Sequence, residues 1–125
     1  DTWGGNDAVE ISIGNPDTKN RAPIIVLRGF AGGKFISSDE AGAPADIAKR
    51  AGENVTYAAN VIDPGRWTAE FRIPFASLGI RPDSAKKYPF NLAVRKMGAE
   101  AWIMWRGTGD CTWYVPEAGF IRFGK

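Results

Sequence analysis

The sequence predicts an all-β domain, an antiparallel β-sandwich of jelly-roll type with little helix. Short runs of alternating apolar and polar residues recur along the chain, and turn-forming residues separate them roughly every 8–12 positions. Little helix is predicted: residues 45–50 could form one helical turn, and residues 75–79 a tight turn or a single helical turn. A chain of 125 residues has the usual size of one domain, so we expect 1–125 to fold as a single unit.

The first 50 residues contain three predicted strands and the helical turn. Residues 8–13 alternate strictly, which places their β-branched side chains on one face and Glu10 on the other. Residues 23–28 form a nearly continuous apolar run, which predicts a strand covered on both faces. Residues 35–36 follow a Gly-rich hairpin turn, and residues 45–50 follow a loop.

The central hairpin is the clearest prediction. Residues 54–62 and residues 67–73 are two strands joined by Asp-Pro-Gly-Arg, a strong turn sequence. Along the second strand, Trp, Ala, Phe and Ile alternate with polar residues, so the apolar set should face the core. Pro74 ends this strand because it has no N–H to donate, and Gly79 ends the tight turn that follows.

The last third of the chain supplies the remaining strands. Residues 90–96 and 101–105 predict two neighbouring strands, and residues 119–123 predict a closing one. The polar, Gly-rich residues 107–110 predict a loop between them.

Composition excludes several classes of protein. The apolar and charged fractions, 44% and 24%, are those of a soluble globular protein. The sequence contains no run of 18 apolar residues, the length that a membrane-spanning helix would need. A net charge of +2 without a basic stripe argues against nucleic-acid binding. The absence of histidine removes the usual general base and most transition-metal sites. A single cysteine excludes an internal disulfide and a Cys-rich zinc site.

Three segments, in order, resemble motifs of family 9 carbohydrate-binding modules. Residues 7–11 (DAVEI) are similar to the family's D-x-V-E-I strand. Residues 67–79 (WTAEFRIPFASLG) resemble its strand ending in I-P-aromatic and the L-G turn. Residues 105–123, with W-x-G-T-G and G-F-I-R-F, look like its closing segment.

The resemblance implies a secreted bacterial module without catalytic activity. Such modules anchor an appended enzyme, or the parent protein, to plant-type polysaccharide such as cellulose or xylan. No cofactor is required, although structural calcium is common in the family. The family runs one or more strands before the first motif, and this chain has almost none there. We therefore expect a part of a longer parent protein that includes the catalytic domain, or a partner segment that supplies the missing strands.

Tryptophan is the residue best suited to hold a sugar ring, because a pyranose presents an apolar C–H face rimmed with hydroxyls. The resemblance places a stacking pair near Trp3 and Trp113, and both lie in polar, Gly-rich stretches. Trp105 is assigned equally to the core and to the rim of the site. Trp67 and Trp102 fall on strand positions and are predicted to be core residues.

Glu10, Arg28 and Asp110 are the predicted polar contacts to the sugar hydroxyls. For Glu10 and Arg28 the alternative is a cross-strand ion pair on a solvated face. Four acidic residues could contribute to calcium binding but show no EF-hand spacing, and we assign no ligand set among them: Asp39, Glu40, Asp46 and Asp63.

Three classes of function remain after this reasoning. The first is carbohydrate binding. The second, the alternative to it, is a structural or interaction sandwich of a bacterial surface or envelope protein. The third is a glycosidase, for which Glu100 and Glu117 would be the carboxylates. Both glutamates lie among small residues in predicted turns, so we expect no catalysis.

Overall fold

The computed structural model describes residues 1–17, 23–83, 85–109 and 111–124, and it confirms a small, antiparallel all-β fold of sandwich type. Within these residues the strands are β1 (Ala8–Gly14), β2 (Pro23–Phe30), β3 (Phe35–Ser38), β4 (Thr56–Asp63), β5 (Arg66–Arg72), β6 (Tyr88–Lys96), β7 (Ala101–Met104) and β8 (Gly119–Ile121). The helix α1 spans Ala45–Asn54, and 3₁₀ turns occupy Phe75–Leu78, Met97–Ala99 and Val115–Glu117. No helix within the described ranges is long and apolar enough to cross a membrane.

The larger sheet has the strand order β3-β2-β1-β6-β7, and β8 pairs with β6 beside β7. Strand β1 lies at its centre, where Glu10 stands opposite Arg28 of β2 and Ala93 of β6. Ala8 stands opposite Arg95 in the same way. Because side chains alternate along a strand, this register puts Glu10, Arg28 and Arg95 on one face of the sheet, which we call the outer face.

The opposite, inner face carries the main core. Buried apolar residues from three strands, from α1 and its C-cap, and from the first 3₁₀ turn pack there: Ile13, Ile24, Ile25, Leu27, Ala48, Ala51, Val55, Leu78 and Tyr88. The 3₁₀ turn ends at Gly79, whose φ of 65° is the left-handed conformation that glycine adopts without strain. The predicted turn at this position is therefore confirmed.

Helix α1 is longer than the single turn expected over residues 45–50. Ala48 and Ala51, three residues apart, form a small buried face. The side chain of Ser37 on β3 donates a hydrogen bond to the carbonyl oxygen of Ala48 at 2.7 Å. This tertiary packing extends the helix to Asn54, which a local pattern could not show.

The hairpin of β4 and β5 forms the second layer, and its prediction is confirmed. Asp63 Oδ1 accepts the backbone N–H of Gly65 at 2.9 Å and closes the turn. The rings of Tyr57 and Phe71 lie 4.5 Å apart, and both are near Phe35 of β3. The hairpin therefore packs over the β2–β3 side of the sheet and leaves the β6–β7 side less covered.

The outer face is covered by two irregular segments instead of a sheet. Residues 1–7 cross one end of it, and residues 106–109 and 111–118 cover a further part, with Thr108, Thr112 and Val115 buried. The 3₁₀ turn Val115–Glu117 contacts β6 and β1. These segments bury the small and apolar residues of the outer face, including Ala8, Phe30 and Ala93.

Gly29 marks the closest approach between the hairpin and the large sheet. A Cβ atom at Gly29 would lie 2.6 Å from Tyr57 Cζ and 2.7 Å from Phe71 Cζ, both atoms of packed rings. We expect Gly29→Ala to lower the free energy of unfolding by about 1–3 kcal/mol through overpacking. Gly52→Ala in helix α1 is the matched control, because the new Cβ would meet only Ser37 Cβ, at an ordinary contact distance of 3.7 Å. It should be neutral or raise stability by about 0.5–1 kcal/mol. Urea unfolding of both variants measures the difference, and equal effects would contradict this packing.

Candidate functional site

A buried ion pair forms the base of the candidate site. Arg28 Nε donates to Glu10 Oε2 at 2.6 Å, and the two residues are only 5% and 1% exposed. Arg28 Nη1 also donates to Glu40 Oε2 at 2.8 Å. Burial lowers the pKa of Arg28, but the hydrogen bonds to Glu10 and Glu40 outweigh it and leave the pKa above its usual value. The cross-strand ion pair considered from sequence is present, but on a covered rather than a solvated face.

Trp3 lies on top of this pair. The Arg28 guanidinium carbon is 4.3 Å from the centre of the Trp3 ring, close enough for a cation–π contact. Arg95 of β6 reaches the same ring at 5.3 Å. Strand β1 separates the two arginines and carries only Ala8 opposite Arg95, which leaves room for the indole above it.

The segment before β1 is held so that Trp3 keeps this position. The backbone N–H of Thr2 donates to Asn6 Oδ1 at 2.9 Å, and that of Gly5 donates to the Thr2 carbonyl at 3.1 Å. Asp7 Oδ1 accepts the N–H of Met97 at 2.7 Å and so attaches the segment to the end of β6. Trp3 is thus half-buried in an ordered turn.

Trp102 is the second ring of the cluster, and it was predicted to be a core residue. The structure corrects this prediction, because Trp102 lies on the outer face and is 39% exposed. Its ring packs edge-on against Trp3 with centroids 5.4 Å apart, and its Nε1 donates to Thr112 Oγ1 at 3.3 Å. Alternation separates Trp102 from Ile103 but does not show which of the two faces the core.

A cleft of about 270 Å³ opens beside Trp102. Its lining residues are Arg95, Lys96, Met97, Glu100, Ala101 and Trp102. Glu100 has a φ of 47°, a conformation that is uncommon for residues other than glycine and often occurs at functional sites. Among the described residues Arg95 has no carboxylate partner, since its guanidinium contacts the rings of Trp3 and Trp102. The cleft therefore combines an aromatic wall with both hydrogen-bond donors and an acceptor.

The structure brings together Trp3, Glu10 and Arg28 of the predicted site, whereas among the described residues no ring contact joins Trp113 or Trp105 to Trp3. Trp113 is half-buried in the loop over the outer face, next to Thr112. Within the described residues the ring in contact with Trp3 is that of Trp102, not that of Trp113. Trp105 lies on the inner face against Phe90, with centroids 5.9 Å apart, so it does not reach the cluster. Asp110 lies outside the described residues.

Sequence reasoning did not single out Arg95, it assigned Trp102 to the core, and it considered Glu100 only as a catalytic carboxylate. One signal was available for Arg95, a charged residue that follows apolar Val94 in a strand and therefore points away from it. The role of Glu100 depends on a turn conformation that its sequence does not specify.

Three of the four acidic residues considered for calcium have basic partners. Glu40 binds Arg28, Asp46 is 3.3 Å from Arg50, and Asp63 is 3.5 Å from Arg66. In the part of the chain that the structure describes, no three Asp, Glu or Cys side chains gather as metal ligands would.

Comparison with protein-family models, with curated proteins and with solved structures gives no match for this chain. The resemblance to family 9 carbohydrate-binding modules therefore stays a prediction, and the functional argument depends on the geometry of the site.

Proposed function

We propose that this domain binds carbohydrate, without cleaving it, in the cleft beside Trp102. One observation carries the proposal: a partly exposed indole forms the wall of a cleft of about 270 Å³ whose other walls present Arg95, Lys96 and Glu100. A sugar ring needs a flat apolar surface for its C–H face and charged or polar groups for its hydroxyls. This cleft supplies both.

Each residue has a distinct part in the proposed site. Trp102 would stack on the sugar, while Arg95 would donate hydrogen bonds and Glu100 would accept them. The Thr112 hydrogen bond and the Trp3 contact fix the Trp102 ring before a ligand arrives, which lowers the entropy lost on binding.

Glu10 and Arg28 have a different role from the one expected. Both side chains are almost fully buried under Trp3, so they support the aromatic cluster and do not touch the sugar. They are positioning residues in this proposal.

Binding without cleavage is supported by the acidic residues of the cleft. Glycosidases generally use a pair of carboxyl groups that flank the bond to be broken. Glu100 lines the cleft, but Glu117 is not among its lining residues. The substrate class we propose, cellulose or xylan, and the secreted bacterial setting with an attached catalytic domain come from the family resemblance.

The test is a titration of intrinsic Trp fluorescence with cellobiose, xylobiose and a panel of soluble oligosaccharides. We expect a saturable change in the wild type and a loss of affinity of about 30-fold or more in Trp102→Ala, as for a buried aromatic anchor. Trp105→Ala is the matched control: it removes an exposed tryptophan from the opposite face and should leave affinity unchanged. Trp113→Ala tests the sequence-based expectation that Trp113 also stacks.

If the folded wild type shows no fluorescence change with any sugar of the panel, the proposed function is excluded. The alternative, an interaction sandwich without a sugar site, would then be favoured by the open inner face described next.

A further inference from the structure

The inner face of the large sheet is only partly covered. The hairpin packs over the β2–β3 side, whereas Phe90, Leu92 and Val94 of β6 remain half-exposed. Ile103, which stands opposite Val94, is 61% exposed, and Trp105 on the same face is 58% exposed. A contiguous apolar surface of this kind marks an interaction site more often than an ordinary surface.

An apolar groove runs along this surface beside β5. Two cavities of about 360 and 370 Å³ lie in a row and share Val9, Ala69 and Leu92 as lining residues. The first continues to Phe71 and Phe90, and the second extends to the opposite end of β5. The shared residues make the two cavities one groove between β5 and the floor formed by β1 and β6.

The edge of β5 that borders the groove is free. The smaller sheet contains β4 and β5 alone, and β5 pairs with β4 along its other edge. Among the described residues no strand pairs with this second edge, so its backbone N–H and C=O groups are available for a ladder. The seven residues of β5 extend over about 23 Å at roughly 3.3 Å per residue.

The groove has a charged end. Arg66 and Lys96 line the end of the groove near the β4–β5 turn. Within the described residues each has one long ion pair, Arg66 with Asp63 at 3.5 Å and Lys96 with Asp7 at 3.7 Å. Such exposed pairs contribute little, so both cations could accept a further carboxylate. The rest of the groove is apolar.

We propose that a partner polypeptide adds an extended strand of about seven residues to the free edge of β5 and fills this groove. Its alternate side chains would be large and apolar and would pack on Leu92, Val94 and Ile103. An acidic side chain would lie near Arg66 and Lys96. An added strand would pair with β5 at the usual separation of about 4.8 Å. It would then continue the hairpin layer over β6, at the separation of about 10 Å that is usual for packed sheets.

The test uses a panel of nine-residue peptides in which Val, Ile, Leu or Phe alternates with Thr and an Asp stands at one end. We expect a member of the panel to bind the whole domain, with slowed hydrogen exchange at β5 amides. The same peptide with Pro at its centre should lose affinity by about tenfold or more, because Pro cannot donate a hydrogen bond to the β5 ladder. Replacing its Asp with Lys should also weaken binding.

Variants of the domain locate the binding. Ala69→Asp places a charge in the groove, and Ile103→Glu places one on the apolar surface beside it, opposite Val94. Each should weaken binding by about tenfold or more. Both replaced residues are exposed, so the fold should tolerate the change. Ile62→Glu is the matched control: Ile62 is a 47% exposed apolar residue of β4 that does not line the groove. All three variants should keep the wild-type response to sugars, which separates this proposal from the proposed function.

Two results would overturn the proposal. One is a folded domain that binds no peptide of the panel, or binds it equally well in Ala69→Asp and Ile62→Glu. The other is a wild-type dimer in sedimentation velocity that Ile103→Glu converts to a monomer, since a second copy of the chain would then occupy the groove.

Discussion

Glu10→Ala is expected to lower the free energy of unfolding by about 3–5 kcal/mol, the usual cost of removing one partner from a buried ion pair. Arg28 is 5% exposed and cannot regain water when its partner is lost. The remaining Glu40 cannot replace Glu10, because the Glu40 side chain is 71% exposed and its contact is screened by solvent. Trp3 lies on Arg28, so the same variant should also disturb the Trp3–Trp102 cluster.

Two further variants separate this explanation from a simple loss of packing. Glu40→Ala removes the exposed partner and should cost about 1 kcal/mol or less. The double variant Glu10→Met with Arg28→Met removes both charges and should recover most of the stability lost in Glu10→Ala. Urea unfolding gives all three values. Equal losses in Glu10→Ala and Glu40→Ala would contradict a buried pair on the outer face.

Asn91→Leu is expected to lower the free energy of unfolding by about 1–3 kcal/mol, because it leaves partly buried backbone groups of Leu92 and Arg106 without their side-chain partner. Asn91 is fully buried, and its Nδ2 donates to the Arg106 carbonyl at 3.0 Å. Its Oδ1 accepts the N–H of Arg106 at 3.1 Å and that of Leu92 at 3.0 Å. This side chain fastens the start of the loop that covers the outer face and carries Thr112.

The effect on the loop can be measured apart from the effect on stability. The backbone amides of residues 107–109, 111–115, 117 and 118 should exchange faster in Asn91→Leu than those of β1. Sugar affinity, if the proposed function holds, should fall because Thr112 no longer fixes Trp102. Asn54→Leu is the matched control: its Nδ2 bonds the Arg50 carbonyl at an exposed position, so little stability should be lost. An equal increase in exchange rate for the loop amides and the β1 amides would contradict the role assigned to Asn91.

The parts of the fold that depend on local sequence were predictable. The β4–β5 hairpin, the turn ending at Gly79 and the strand at residues 8–13 are set by alternation and by turn residues. The length of α1 could not be predicted from local sequence, because packing of Ala48 and Ala51 on the sheet determines it. The packing of Phe71 and Tyr57 over Gly29 likewise appears only when the two layers are placed together.

The candidate site was predictable only in part, for a related reason. Alternation assigned Glu10 and Arg28 to definite strand faces, but their pairing depends on the register of β1 against β2. Burial of that face comes from irregular segments at residues 1–7, 106–109 and 111–118, whose sequences have no hydrophobic period. Trp102 and Trp105 lie three residues apart and point to opposite faces, and nothing local indicates which of those faces a loop will cover.

The central claim is that a ligand site lies on the outer face at Trp102, and the indole N–H signals of the five tryptophans test it most directly. In ¹⁵N-labelled protein, addition of cellobiose or xylobiose should shift the Trp102 and Trp3 signals saturably and leave those of Trp105 and Trp67 in place. Trp102 should respond most, because its N–H is held by Thr112 at the wall of the cleft. Shifts confined to Trp105 and Trp67, or no shift in any indole signal, would contradict the account.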